Sequence, residues 1–182
     1  MSKVYTGTGD DGFSYIPAFK KRLPKDHEVF EAIGTLDELN SFIGLIISKV
    51  ENSSKLKNLA YELIWIQKML FRIGESITSS KCKIRDDDLT ELEKLIEKYS
   101  KDVGYVEGFI LPGGHQLASL LHIVRSICRR CERRIVKLMR LYGGLVDPII
   151  VKFVNRLSSY FFIVALYVNK YMGIGEHKLE ET

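Results

Sequence analysis

The sequence predicts an all-α protein: a five-helix antiparallel bundle preceded by an irregular N-terminal segment. Two long stretches, Leu117–Tyr142 and Ile150–Tyr171, carry the same heptad pattern, with apolar residues at alternating steps of four and three. Matching heptad seams on long helices with short connections are typical of antiparallel bundles. The chain also has only four prolines among 182 residues, which permits long uninterrupted helices.

The composition indicates one globular domain over residues 1–182, with an arm over 1–25 and the bundle over 26–172. Hydrophobic residues make up 46% and charged residues 27% of the chain, which is sufficient for a packed core. Lysine plus arginine number 27 and aspartate plus glutamate 23, a net charge of +4. This charge suits an anionic ligand but is too weak to indicate a nucleic-acid-binding protein.

Nothing in the sequence predicts export or membrane insertion. The longest strongly apolar stretch without a charge, Leu157–Asn169, has 13 residues, whereas a membrane-spanning helix needs about 20. The first seven residues lack the apolar run of a signal peptide. Three cysteines are unsuited to a disulfide scaffold and fit a reducing compartment, so we expect a cytoplasmic protein.

The elements follow in order. The first 25 residues are rich in glycine and proline and lack a helical period, which predicts an irregular segment with short extended pieces at Val4–Thr6 and Phe13–Ile16. Apolar periodicity and capping signals then predict five helices. The first three helices cover about Asp26–Val50, Ser54–Ile77 and Asp87–Ser100, and Asp26 is the predicted N-cap of the first. The fourth and fifth helices contain the two heptad seams, and the fifth begins at Asp147-Pro148.

The N-terminal run Gly7–Gly12 has the spacing G-x-G-x-x-G. A Rossmann motif needs a strand before it and a helix after it, and here no helical period begins until about Asp26. It is not a Walker A loop either. Glycines let backbone N–H groups approach a phosphate, and Thr6, Thr8 and Ser14 add hydroxyl donors. A flexible arm without a ligand is the alternative, and spacing alone favours it.

The fourth helix carries the strongest chemical pattern. Its basic residues fall into two rows at helical spacing: a first arginine row of Arg125, Arg129 and Arg133, and a second arginine row of Arg130 and Arg134. Stacked guanidinium groups repel each other, so the pattern favours a polyanionic partner such as a phosphate chain. A solvated basic face that continues through Lys137 and Arg140 is the alternative. The closeness of Arg125 and Arg129 to the apolar seam favours a cleft or interface.

Two other features are ambiguous by themselves. Asp37 lies beside the apolar stripe of the first helix and needs a partner, for which an arginine of the fourth helix is the candidate; an ordinary structural salt bridge is the alternative. The run Phe109–Gly114 predicts a sharp loop with an aromatic ring at its mouth. A hydrophobic plug over the end of the bundle is the default interpretation of that ring.

A metal or redox centre is not predicted. Cys128 and Cys131 form a C-x-x-C pattern, but both lie on the seam in mid-helix, where a core role is expected and not a reactive thiolate. The four histidines show no metal-ligand spacing. Asn155 lies off the seam of the fifth helix, a position that more often holds a surface side chain.

Taken together, four ordered motifs resemble those of the PduO-type ATP:cob(I)alamin adenosyltransferases, a family of corrinoid adenosyltransferases. The motifs are Tyr5–Ser14, Phe30–Asn40, Phe109–Arg134 and Phe153–Ser158, and they span most of the chain. The resemblance implies a homotrimer of five-helix bundles with active sites between neighbouring subunits. It implies transfer of the 5′-deoxyadenosyl group of ATP, bound with Mg²⁺, to cob(I)alamin as substrate. A cobalamin reductase and an adenosylcobalamin-dependent enzyme are the expected further partners. Binding to nucleic acid or to a membrane is not expected.

The resemblance also assigns roles to residues. Asp37 and Arg125 match a catalytic salt bridge across the subunit boundary, and Phe109 matches the catalytic aromatic that packs under the corrin and keeps its lower axial ligand away. The family often has lysine where this chain has Gly7 and Asp11, so two positive charges are missing from the loop. The implied ATP contacts are Thr6, Gly7, Thr8, Gly9, Ser14, Tyr15, Lys25, Arg129, Glu132, Arg133 and Asn155.

Two other functions compete with this reading. One is a non-enzymatic basic bundle that binds nucleic acid or another polyanion through residues 125–140, and its binding would weaken steeply with salt. The other is a structural oligomer with a degenerate site.

Cob(I)alamin is itself the nucleophile in the adenosyl transfer that the resemblance implies, so the enzyme needs no serine, histidine or cysteine catalytic set.

Overall fold

The computed structural model describes residues 5–51 and 56–179. It confirms the all-α fold: five helices follow a two-stranded hairpin of β1 and β2. The strands are Phe13–Ile16 and Lys21–Pro24, and the helices are α1 (Glu28–Val50), α2 (Lys57–Ser79), α3 (Asp86–Val103), α4 (Gln116–Leu141) and α5 (Pro148–Tyr171).

The helices run up, down, up, down, up. Cross-helix ion pairs show the antiparallel packing of α1 on α4, since Glu28 near the start of α1 meets Lys137 near the end of α4, and Glu38 meets Arg130 further back. The same reversal relates α4 to α5. Helices α3 and α5 run in the same direction because one helix separates them in this order. They also pack side by side, since Glu93 contacts Arg156 and Asp102 contacts Lys170.

Both predicted seams form the core. The α4 seam is buried from Leu117 to Leu138, and the α5 seam is buried up to Val168. The largest fully buried side chains include Tyr160 and Phe153 of α5. By length and composition α5 could cross a membrane, but 61% of its apolar window is buried inside the structure, as expected of the central helix of a bundle.

The C-x-x-C cysteines belong to this core, as predicted. Cys128 and Cys131 are fully buried. Burial raises the pKa of the Cys131 thiol to about 12 and raises the pKa of Cys128 well above its ordinary value. Neither side chain therefore supplies a thiolate near neutral pH.

The helix ends correct some predictions. The N-cap of α5 is Asp147, as predicted, and its carboxylate accepts from the backbone N–H of Ile149 at 2.9 Å. The N-cap of α1 is His27 and not Asp26, because the His27 ring accepts from the N–H of Val29 at 3.2 Å. The predicted start of the second helix at Ser54 lies outside the described residues.

The N-terminal arm is more regular than predicted. The extended piece Phe13–Ile16 is confirmed as β1, but its partner β2 was missed. A strand that contains two basic residues and ends in Pro24 gives a weak strand signal. Of the other predicted extended piece, Val4–Thr6, Val4 lies outside the described residues, and Tyr5 and Thr6 are not in a strand.

Candidate active site

The two arginine rows of α4 have different surroundings. The second arginine row, together with Lys137, faces α1 and is neutralised by glutamates there. The pairs are Arg130 with Glu38, Arg134 with Glu31, and Lys137 with Glu28. This half of the basic surface is therefore an ordinary salt-bridged face, and the glutamates of α1 that pair with it were not part of the predicted solvated basic face.

The first arginine row has no such partners. In the part of the chain that the structure describes, no ion pair involves Arg125, Arg129 or Arg133. The Nε atom of Arg125 is buried without a hydrogen-bond partner, and burial, followed by the charge of Arg129 one turn away, lowers its pKa. Arg125 is half-buried, whereas Arg129 and Arg133 are exposed. A guanidinium partly withdrawn from water without a counter-charge is costly, so this row is available to an anionic partner from outside the chain.

Two of the predicted nucleotide contacts meet beside this row. The amide of Asn155 on α5 donates to Glu132 Oε1 at 2.9 Å, and its oxygen accepts from Arg156 at 3.2 Å. Asn155 is half-buried, so the expectation of a plain surface asparagine was wrong. The hydrogen bond fixes both side chains between α4 and α5, one residue from Arg133.

A groove of about 560 Å³ runs along α4 from Pro112 to Arg133, and one arginine of each row, Arg133 and Arg130, lines it. His122 lies in it, and both of its ring nitrogens are buried without a hydrogen-bond partner among residues 5–51 and 56–179. Burial, then the charge of Arg125, lowers the pKa of His122, which keeps the ring neutral. Sequence reasoning dismissed His122 because it considered histidines only as metal ligands.

The glycine loop of the arm forms two consecutive turns that bring Lys25 over it. Gly7 and Gly12 have φ values of +73° and +81°, which glycine adopts at little cost. The N–H of Lys25 donates to Gly12 O at 2.8 Å. A Cβ added at Gly9 would lie 2.9 Å from Lys25 Nζ. The structure therefore brings together the loop and the lysine that the sequence assigned to phosphate binding.

Asp11, which replaces a frequent lysine, has a partner that sequence reasoning missed. Arg22 on β2 binds both of its carboxylate oxygens at 2.6 and 2.8 Å, and the same guanidinium donates to Thr8 O at 2.6 Å and Phe13 O at 3.0 Å. The hydrogen bonds from the Arg22 side chain, followed by the one from the Phe13 N–H, lower the pKa of Asp11. The pair holds the loop in shape and neutralises the acidic charge.

The remaining predicted arm residues present polar groups to solvent. The hydroxyls of Thr6 and Thr8 lie 2.9 Å apart in an exposed pair. On β1, Ser14 is half-buried and Tyr15 is 56% exposed. All of these groups are accessible to a ligand laid across the hairpin.

Within one chain the arm does not reach the first arginine row. The arm packs on the end of α4, where Tyr142 contacts Phe19 at 5.0 Å between ring centroids and hydrogen-bonds His27 at 2.8 Å. Arg133 and Arg129 precede Tyr142 by nine and thirteen residues, about 14 and 20 Å along a helix. Among the described residues, no hydrogen bond or ion pair joins residues 5–25 to the row.

Asp37 also lies away from this row. It is exposed, makes no ion pair within residues 5–51 and 56–179, and lines a different groove of about 470 Å³ between α1 and α2. The α4 arginines that face α1 bind Glu31 and Glu38 instead. The suggested partnership of Asp37 with an α4 arginine is therefore not formed inside one chain.

Phe109 lies in the loop between α3 and α4 and is 80% exposed. This exposure contradicts the default interpretation of a plug over the end of the bundle. The loop is held by the chain's C-terminal part, since Leu179 N–H donates to Phe109 O at 2.8 Å. A large aromatic ring held in solvent is available to pack against an apolar ligand.

Comparison with known proteins agrees with this geometry. The family model described as cobalamin adenosyltransferase matches residues 4–168. A corrinoid adenosyltransferase of Bacillus subtilis is 40% identical over 99% of this chain and 93% of its own length. Corrinoid adenosyltransferase MMAB of Mus musculus is 42% identical over 92% of this chain and 73% of its own length.

Solved structures give the same result. A phenylalanine-to-histidine variant of a PduO-type ATP:corrinoid adenosyltransferase from Lactobacillus reuteri, complexed with cobalamin and ATP, superposes with a TM-score of 0.89 at 37% identity, covering 97% of this chain and 96% of that one. An arginine-to-lysine variant of that enzyme, complexed with ATP, gives 0.88 at 37% identity, with 97% and 100% coverage. Fold, motifs and sequence identity agree, and the chain belongs to the cobalamin adenosyltransferase family.

Proposed function

We propose that this chain transfers the 5′-deoxyadenosyl group of ATP to cob(I)alamin. Cobalt(I) donates its electron pair to the 5′ carbon, the cobalt–carbon bond forms, the bond from that carbon to the triphosphate oxygen breaks, and triphosphate leaves with the bonding pair. The observation that carries the proposal, besides family membership, is that the first arginine row has no acidic partner among the described residues while the neighbouring row is fully paired.

The cations of the site act on the departing triphosphate. Arg129 and Arg133 present planar guanidinium forks suited to phosphate oxygens, and Lys25 adds an ammonium over the glycine loop. Fixed charges aimed at the developing negative charge stabilise the transition state more than the bound substrate. The hydrogen bond between Glu132 and Asn155 offers a fixed polar pair for the nucleoside.

Mg²⁺ is expected to arrive with the nucleotide. The described residues contain no group of three histidine, cysteine, aspartate or glutamate side chains that could hold a metal ion. Mg²⁺ commonly retains several waters and binds mainly through substrate phosphates. The exposed hydroxyls of Thr6 and Thr8 fit such an ion, because they can hydrogen-bond to its waters.

The assembly we propose is a homotrimer with each active site between two subunits. Two observations support it: the arm and the first arginine row lie apart in one chain, and neither Asp37 nor Arg125 has an ion-pair partner in the part of that chain that the structure describes. The groove that contains Asp37 is rimmed by Phe71, which is 70% exposed, and the α4 face carries Ile123, which is 46% exposed. Opposite charges with adjacent apolar side chains suit contact between two copies.

Asp37→Ala and Arg125→Ala should each lower activity by about tenfold or more, and the double variant should be little worse than either. Residues that interact are non-additive, so the double-mutant cycle measures their coupling. Sedimentation of each variant reports the oligomer. Glu38→Ala is the control, because Glu38 pairs with Arg130 of the same chain, and comparing it with Asp37→Ala separates a contact between subunits from a salt bridge within one chain. Additive losses in the double variant, or equal losses for Asp37→Ala and Glu38→Ala, would contradict a contact across subunits.

Gly9→Ala should weaken ATP binding by about threefold to tenfold with little loss of stability. A methyl group there would lie 2.9 Å from Lys25 Nζ and 3.1 Å from its Cε, so it displaces the flexible end of the lysine and not the backbone. The KM for ATP and the melting temperature test this. Gly143→Ala, where an added Cβ meets nothing within 4 Å, is the control, and an unchanged KM in Gly9→Ala would refute the role of Lys25.

The proposed function itself is tested by anaerobic incubation with ATP and chemically reduced cobalamin. Formation of adenosylcobalamin, followed in the visible spectrum, and release of triphosphate are expected. Absence of product from folded protein that binds both substrates would overturn the proposal. Salt-sensitive nucleic-acid binding that ATP does not displace would instead favour the basic-bundle alternative.

We also propose the cellular setting from chemistry. Two buried reduced cysteines and an exposed third, Cys82, fit a reducing compartment such as the cytoplasm. The cobalt(I) substrate requires a cobalamin reductase, and the product serves an adenosylcobalamin-dependent enzyme. We assign residues 1–182 to a single adenosyltransferase domain.

A further inference from the structure

We propose that the C-terminal segment, residues 173–179, sets the position of Phe109 and so controls the corrinoid step separately from ATP binding. The inference rests on the proposed function, because it concerns the aromatic ring assigned to the corrin. Phe109 itself is 80% exposed, so side-chain packing contributes little to holding it. Its position must therefore come from its backbone.

The backbone contacts of the loop are made with this segment. Leu179 N–H donates to Phe109 O at 2.8 Å, and Leu111 N–H donates to His177 O at 2.8 Å. The two bonds flank an antiparallel bridge between Ile110 and Lys178. Paired bonds on both sides of a bridge fix the direction of a chain much more firmly than a single contact. The segment thus acts as a short strand that orders residues 109–111.

Asn169 at the end of α5 anchors the other side of the same loop. Its side chain is fully buried. Its oxygen accepts from His115 N–H at 2.8 Å, and its nitrogen donates to Gly113 O at 3.1 Å and to Glu176 Oε1 at 3.0 Å. One amide therefore ties the start of α4, the loop and the C-terminal segment to α5. A fully bonded buried amide is a rigid junction.

The glycine after Gly113 is required by this junction. Gly114 has a φ of +92°, and a Cβ there would lie 2.4 Å from the amide atoms of Asn169. The turn therefore packs its bare backbone directly on the asparagine. On the α3 side, Lys170 Nζ donates to the carbonyls of Asp102 and Val103 at 2.7 and 3.2 Å. With both flanks fixed to α5, the pairing with residues 177–179 is what places Phe109.

Leu179→Pro tests the inference with Leu179→Ala as its matched control. Proline removes the N–H that donates to Phe109 O, whereas alanine keeps it. Leu179 is 58% exposed, so neither change removes a core side chain. We expect Leu179→Pro to lower turnover with free cobalamin about tenfold and to raise the corrinoid KM, because a displacement of about 1 Å is sufficient for such losses. The KM for ATP should stay within about twofold in both variants, and Leu179→Ala should behave like the parent chain.

Two further measurements separate positioning from general damage. The visible and electron paramagnetic resonance spectra of bound cob(II)alamin report its lower axial ligand, and Leu179→Pro should retain more of the ligated form. Hydrogen exchange at the Leu111 amide, measured without substrates, should be faster in Leu179→Pro than in Leu179→Ala. Equal exchange and equal turnover in the two variants would overturn the inference, whereas an inactive parent chain would count against the proposed function.

Discussion

Phe109→Ala is expected to lower turnover with free cobalamin by about a hundredfold or more, with ATP binding changed by less than about twofold. The ring is 80% exposed, so its removal does not unfold the bundle. Its proposed task is to occupy the lower face of the corrin and keep the axial ligand away, which makes cobalt easier to reduce. An interaction used mainly on the way to the transition state shows itself in kcat more than in substrate affinity.

Steady-state kinetics with varied cobalamin and varied ATP measure this prediction. Tyr105→Ala is the matched control, because Tyr105 is an aromatic residue of the same loop and is 92% exposed. It should leave both parameters within about twofold of the parent chain. A Phe109→Ala enzyme with normal turnover on free cobalamin would remove the assigned role.

Arg129→Ala is expected to reduce kcat/KM for ATP by about a hundredfold to a thousandfold, the range seen when one donor to a developing anion is removed. Arg129 is exposed and has no ion-pair partner among the described residues, so the loss reflects a missing phosphate contact and not a broken salt bridge. Arg129→Lys should recover only part of the activity, because an ammonium cannot reproduce the two-pronged guanidinium contact.

Arg134→Ala is the matched control on the same helix. Arg134 is engaged by Glu31 at 3.1 Å on the surface, and such pairs contribute about 0–1 kcal/mol to stability. Its removal should leave kcat/KM for ATP nearly unchanged. Steady-state kinetics with varied ATP check both variants; equal losses of kcat/KM in Arg129→Ala and Arg134→Ala would show that only the net positive charge matters, which is the behaviour of a nonspecific polyanion binder.

The bundle was predictable because periodicity is a property of neighbouring residues. The α4 and α5 seams were read directly from the spacing of apolar side chains, and their burial follows from it. The cap of α5 was predictable for the same reason, since Asp147 bonds to a residue two positions away. The cap of α1 was not: His27 also bonds to Tyr142, a contact over 115 positions that no local pattern contains.

For the charged residues, too, some properties were predictable from the sequence and others depended on the tertiary structure. Spacing on α4 by itself determined that the arginines form two rows, and the resemblance of four motifs determined the family. Only the tertiary structure decided which row is neutralised, because the glutamates that face Arg130 and Arg134 come from α1, about a hundred positions away. It also decided that Asp11 belongs to Arg22 and that residues 177–179 hold Phe109. The type of each residue and the spacing of apolar residues are properties of the sequence itself. The partner of a charge or of a backbone donor depends instead on which distant segments the fold brings together.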